Sequence, residues 1–150
     1  MNALLVPYNR IVATFSSALA ESIMLLFVRI SLAGIFWRSG RTKVEEGSWL
    51  TVSDTAKFLF EEEYSGVPLP SEFAAYMATY SEHLFPILLV IGLFTRISAL
   101  ALFGMTMVIQ IFVYPEAWWS VHMIWVALAF VLIVRGGGKL SLDALLTKPK

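Results

Sequence analysis

The stretch ESIMLLFVRISLAGIFW (21–37) decides the fold: beyond Glu21 and Ser22 it is apolar to its end, interrupted by Arg29 and Ser31. A helix needs about 17–25 such residues to cross hydrocarbon. Helices meet every backbone hydrogen-bonding need where water is absent. Three later stretches repeat the pattern: EFAAYMATYSEHLFPILLVIGLF (72–94), ISALALFGMTMVIQIFVY (97–114) and SVHMIWVALAFVLIV (120–134). The last is short and borrows Trp118 and Trp119 to reach spanning length. The sequence thus predicts an all-α membrane protein, one four-transmembrane-helix bundle over residues 1–150.

Composition agrees. Mean hydropathy is +0.74, with 58% hydrophobic and 15% charged residues, against about 45–50% and about 25% in soluble domains. Eleven Lys and Arg balance eleven Asp and Glu, and no basic stripe provides the electrostatic footprint of nucleic-acid binding. Cysteine is absent, which excludes a thiol nucleophile and an iron–sulfur cluster or haem held by this chain's thiolates. With two histidines, His83 and His122, no metal site is expected. The N-terminus lacks the early positive cluster and cleavage site of a signal peptide.

The connections are unequal. Residues 38–71 form a long charged loop in which VSDTAKFLFEEE (52–63) reads as a short amphipathic helix capped by Ser53 or Asp54. Ser71 is expected to cap the second span. A tight turn around Thr95 and Arg96 makes spans two and three antiparallel neighbours. RGGGK (135–139) stops the fourth span, and LSLDALL (140–146) reads as an interfacial segment. Tyr8–Leu19 is either interfacial or an extension of span one. Arg10, Arg96, Arg135, Lys139, Lys148 and Lys150 share the side of both termini, against Arg38, Arg41, Lys43 and Lys57 opposite. That bias places both termini in the cytoplasm.

Charges within the spans are the candidate site. An unpaired charge at mid-membrane costs about 3 kcal/mol or more, so Arg29 and Glu82 are expected to be partners. Arg29 stands about 12 Å before Trp37, and Glu82 about 15 Å beyond Glu72, at 1.5 Å per residue. Such a pair either fixes helix register or forms a working polar core in which Glu82, unlike Arg29, can take up a proton. His83 is turned by roughly one hundred degrees, so it and Glu82 should not face one partner. Pro86 deprives the Glu82 carbonyl of its helical donor. Gln110 and His122, near Trp37, Arg38, Trp118 and Trp119, suggest a pocket for an aromatic or quinone ring. The candidates are therefore Arg29, Glu82 and His83 for catalysis, and Gln110, His122 and Trp37 for cofactor binding. The bland readings are a structural ion pair, tryptophans of the aromatic belt, and a His122 bonded to backbone or water.

RISLAGIFWRSGRTKV (29–44), SEHLFPILLVIGLFTRISALAL (81–102) and WSVHMIWVALAFVLIVRGGGKLSLDALL (119–146) together resemble the DoxX family of small four-span membrane proteins. The resemblance implies the membrane subunit of a quinone-linked oxidoreductase, like that of a thiosulfate:quinone oxidoreductase, or association with soluble redox enzymes. It carries over to Arg29, Glu82 and Arg96 alone. The expected function is a quinone-interacting subunit, at most non-autonomous as an enzyme, whose partners are the bilayer and either a redox protein or further copies of itself. A possible quinone is the implied cofactor, with none held covalently. The alternatives are a non-catalytic anchor or assembly factor acting through loop 38–71 or the C-terminal segment, and a small-solute or proton-coupled carrier.

Overall fold

Caps set the helix boundaries. A computed structural model describes residues 2–147; Lys148 and Lys150, two of the cations used for orientation, lie outside the described residues, as does the side chain of Arg10. Helix α1 (Asn2–Phe15) ends before Ser17, whose hydroxyl accepts from Ala20 N at 3.2 Å and starts α2 (Ala18–Arg41). The N-terminal segment is thus a separate helix. Ser53 likewise accepts from Ala56 N at 3.1 Å to start α3 (Asp54–Glu62). Helices α4 (Ser71–Ile91) and α5 (Thr95–Phe112) follow. The fourth span is composite: a 3₁₀ turn (Pro115–Ala117), a π turn (Trp118–His122) and α6 (Met123–Arg135). A short α7 (Leu142–Leu146) ends the described chain.

Four segments, α2, α4, α5 and Pro115–Arg135, are long and apolar enough to cross a membrane. They form a closed ring in which α2 packs on α4 and α6, and α5 packs on the same two helices. Leu25, Leu32, Phe36, Leu89, Leu102 and Leu132 fill the centre. Phe27, Leu84, Leu100, Ile111 and Phe130 point outward, as lipid-facing residues do. Lipid competes equally for apolar surface, so close packing between small residues must hold the helices together. Ala33, Ala75, Ala99 and Ala129 are buried accordingly.

Two local expectations change. Pro70, not Ser71, occupies the cap position of α4; its φ of −55° already suits helix entry, and its carbonyl accepts from Ala74 N at 2.9 Å. The turn between spans two and three lies at Gly92–Phe94. Gly92 is left-handed (φ 72°), with Leu93 N donating to Leu88 O and Gly92 N to Leu89 O, a glycine-dependent helix stop. Helix α4 runs unbroken through the buried Pro86. Helix α3 lies on the N-terminal part of α4 through Ala56, Phe60, Ala74 and Ala75. The bundle therefore has a turn end, at Gly92–Phe94, and a loop end, beneath residues 42–70.

Candidate functional site

At the turn end, Arg29 is wholly buried and donates to Leu89 O at 3.3 Å and Leu140 O at 2.5 Å. The cation thus meets the negative end of a helix, sharing the Leu89 carbonyl with Gly92 N, and ties the C-terminal segment to α4. A methyl at Gly92 would lie 2.5 Å from Ser141 Cβ, so nothing else fits. Asp143 completes the knot. Its carboxylate accepts from Phe94 N at 2.8 Å and Thr95 N at 2.9 Å, capping α5. Partial burial works against that charge, but the bonds from Thr95 and Phe94, with Arg29 nearby, hold the carboxyl below its ordinary range. These bonds fasten the C-terminal segment to the end of the bundle.

Glu82 does not meet Arg29. Its partner is Lys43, whose ammonium lies 2.7 Å from Oε2, with both residues buried. Lys43 follows the end of α2 and reaches back, donating also to Ser39 O at 3.3 Å and Ser39 Oγ at 2.8 Å. The expected pairing failed because the two helices are offset. Gly40 faces Glu82, and Gly92 faces Arg29, a slip of about ten residues along α4, roughly 15 Å. The first turns of α4 extend past α2, where α3 covers them. A methyl at Gly40 would lie 3.0 Å from both Glu82 Cβ and the His83 ring, so α2 meets Glu82 and His83 together, contrary to expectation.

His83 and Trp37 belong to that wall. His83 Nδ1 donates to Thr79 O at 2.7 Å, and its ring packs edge-on against Trp37 at 5.1 Å. Trp37 also touches Trp49 and lines a shallow groove with Gly34, Pro86 and Ile87. It is thereby separated from Gln110 and His122, which bond each other at 2.8 Å. His122 sits in the π turn, a form that inserts an extra residue and is frequent at functional sites.

The space between these groups is the candidate site. A cavity of about 270 Å³ is lined by Phe36, Ser39, Tyr64, Glu82, Ile109 and His122. A second, of about 310 Å³, shares Tyr64, Glu82 and Ile109 and, apart from Ser81, is otherwise walled by apolar groups such as Phe60, Met77 and Val108. Met77 and Val108 are exposed on the bundle surface, so this chamber reaches the lipid side. Tyr64 stacks on Phe60 at 4.3 Å and meets Tyr114 edge-on. Tyr114 donates its hydroxyl to Glu63. That bond, then burial, pushes Tyr114 up to about 12; burial first, then Tyr114 and Glu82, pushes Tyr64 up as well. Both stay phenols at neutral pH.

Lys43, Ser39 and Tyr64 were missed in the sequence, where Lys43 reads as one loop charge among acids. The Ser39-Gly40 pair before it was the available signal: a small gap at the end of a span, through which a lysine four residues after the serine can fold back. Among the described residues no cluster of three His, Asp or Glu could hold a metal ion.

A family model described as DoxX matches residues 24–115, which include Arg29, Lys43 and Glu82 but not His122. An uncharacterized protein of Haemophilus influenzae is 32% identical over 146 residues, covering 87% of each chain. No solved structure matches.

Proposed function

The chain belongs to the DoxX family, and from that premise we propose that it is the membrane subunit of a redox assembly, binding a quinone ring in the cavity between Glu82 and His122. The observation that carries this reading is the cavity itself. Ligand sites are concave, mostly apolar and about 300–1,000 Å³, with a few placed polar groups. The second chamber, about 310 Å³, lies at the lower end of that range and the first, about 270 Å³, just below it, with Glu82, His122 and Ser39 as the polar groups. Trp125, 5.5 Å from Phe36 and 5.2 Å from His122, adds an aromatic wall. A quinone, when bound, supplies two-electron, two-proton chemistry that a chain without cysteine does not. The residues would hold and orient its ring, and Tyr64 and Phe60 would shield it from water. Electrons would come from a partner redox protein on the membrane surface.

The turn end carries Arg96, Arg135 and Lys139, in keeping with a cytoplasmic position for it and for both termini at a bacterial inner membrane. The test is equilibrium binding. Purified protein in detergent, titrated with a decyl-substituted benzoquinone and followed by tryptophan quenching, should show saturable binding. Affinity should fall by about tenfold or more in His122→Ala and in the cavity-filling Ile109→Trp, the loss of one good contact in a dry pocket. No saturable binding of the ring by the wild type, in either its oxidised or its reduced form, contradicts the proposal.

One observation favours a second reading, a membrane anchor. Trp49, Leu50 and Phe58 are 68%, 57% and 63% exposed at the loop end, an apolar patch suited to a partner protein. In that case deletion of 45–52 releases the partner while Ile109→Trp has no effect.

A further inference from the structure

Hydrogen bonds fix which polar atoms the smaller cavity offers. Gln110 Nε2 donates to Pro115 O at 2.7 Å, which leaves the amide oxygen to accept from His122 Nδ1 at 2.8 Å. With its proton on Nδ1, the neutral His122 ring carries a bare lone pair at Nε2. On the other wall the Glu82 carboxylate only accepts, at about four positions over two oxygens, and Lys43 fills one of them at Oε2. The Lys43 ammonium is itself committed to Glu82 and Ser39, so no cation is left to enter the cavity. Tyr114 donates to Glu63 outside. The Ser39 hydroxyl accepts from Lys43 and bonds to Glu82, which leaves the Tyr64 hydroxyl to serve either way.

The cavity therefore presents acceptors from two walls. A dione ring, whose carbonyls only accept, would set lone pair against lone pair and leave buried groups unmet, which a dry pocket penalises. An aromatic diol presents two O–H donors to those same atoms. We infer that the site selects the reduced, diol form of its ring ligand, a 1,4-dihydroxyarene, with His122 Nε2 and the Glu82 carboxylate each accepting one hydroxyl proton in a hydrogen bond. The apolar tail of such a ligand lies in the second chamber, between Phe60, Met77 and Val108, and leaves toward lipid. The inference rests on the reading of this cavity as a ring site and adds the redox form that it prefers.

The test compares two probes of identical tail, a decyl-benzohydroquinone and its decyl-benzoquinone, by calorimetric titration under anaerobic conditions. The chain has no cysteine, so a reductant that keeps the diol reduced leaves the protein unchanged. The diol should bind about tenfold or more tightly than the dione. His122→Phe, which keeps a ring in place, should bring the ratio near one mainly by weakening the diol. Gln110→Leu, at a half-exposed position, releases the His122 tautomer and should lower the ratio independently. Equal or tighter binding of the dione by the wild type overturns the inference and leaves the ring site standing. A ratio unmoved by both substitutions also overturns it. Saturable binding of neither probe overturns the inference and the ring site together.

Discussion

Arg29 and Lys43 are both cations drawn into the bundle, and their surroundings differ in the one respect that matters. Arg29 is 0% exposed and faces carbonyls where Gly92 leaves no room even for a methyl. Lys43 is 6% exposed and faces Glu82 beside two open chambers. The turn end uses a charge to close a knot of loops; the loop end uses one to hold a carboxylate at the edge of free space. A buried charge alone does not mark a site. The turn end has an open groove of its own, about 480 Å³ along Thr95, Gly137 and Asp143, but Arg29 does not line it, whereas Glu82 lines both loop-end chambers.

The comparison breaks first at Arg29. Arg29→Met removes two hydrogen bonds from a charged donor, each contributing about 1.5–3 kcal/mol, so a loss of about 3–6 kcal/mol is expected in thermal unfolding in detergent. Ring binding by the fraction that folds should be unchanged. Lys43→Met leaves Glu82 without its partner and should cost about 3–5 kcal/mol. The double variant Lys43→Met/Glu82→Gln should recover most of that, and a double-mutant cycle measures the coupling. A null coupling would erase the distinction between the two ends.

Smaller effects sharpen the picture at the turn end. Gly92→Ala combines a left-handed backbone at φ 72° with a contact at 2.5 Å to Ser141 Cβ, and should cost about 2–4 kcal/mol in the same unfolding assay. Asp143→Asn weakens the cap on α5 by about 1 kcal/mol. Because the folded Asp143 carboxyl lies below its ordinary value of 3.8, its contribution is present above that pH and fades as pH falls through the lower folded value. Unfolding curves of the wild type and Asp143→Asn should therefore differ at neutral pH and converge on strong acidification.

The four spans were legible because hydropathy over twenty residues is a large signal, and α3 because Ser53 precedes an apolar-patterned segment. The glycine stop after Arg135 was equally plain, with Gly136 at φ 74° ending α6. What hydropathy does not encode is the offset between neighbouring helices. Either offset of α4 against α2 buries apolar residues, and small residues such as Gly40 and Gly92 decide between them through contacts visible only in three dimensions. That single unknown exchanged the partners of Arg29 and Glu82. Helix rotation was the second unknown: Trp37 lies near the right depth for a ring pocket but on the far side of α2 from His122. Gln110 and His122 are drawn together because only a short turn, closed by the bond from Gln110 to Pro115, separates their helix ends.

The most direct measurement is photolabelling of the folded protein with an azido-benzohydroquinone, followed by peptide mapping. Label should fall on Tyr64, Ile109 and Val121, which line the cavity holding Glu82 and His122, and should disappear in Ile109→Trp. Label confined to Gly34 and Ile87 in the outer groove, or spread evenly over the lipid-facing residues, would contradict a ligand site at the loop end.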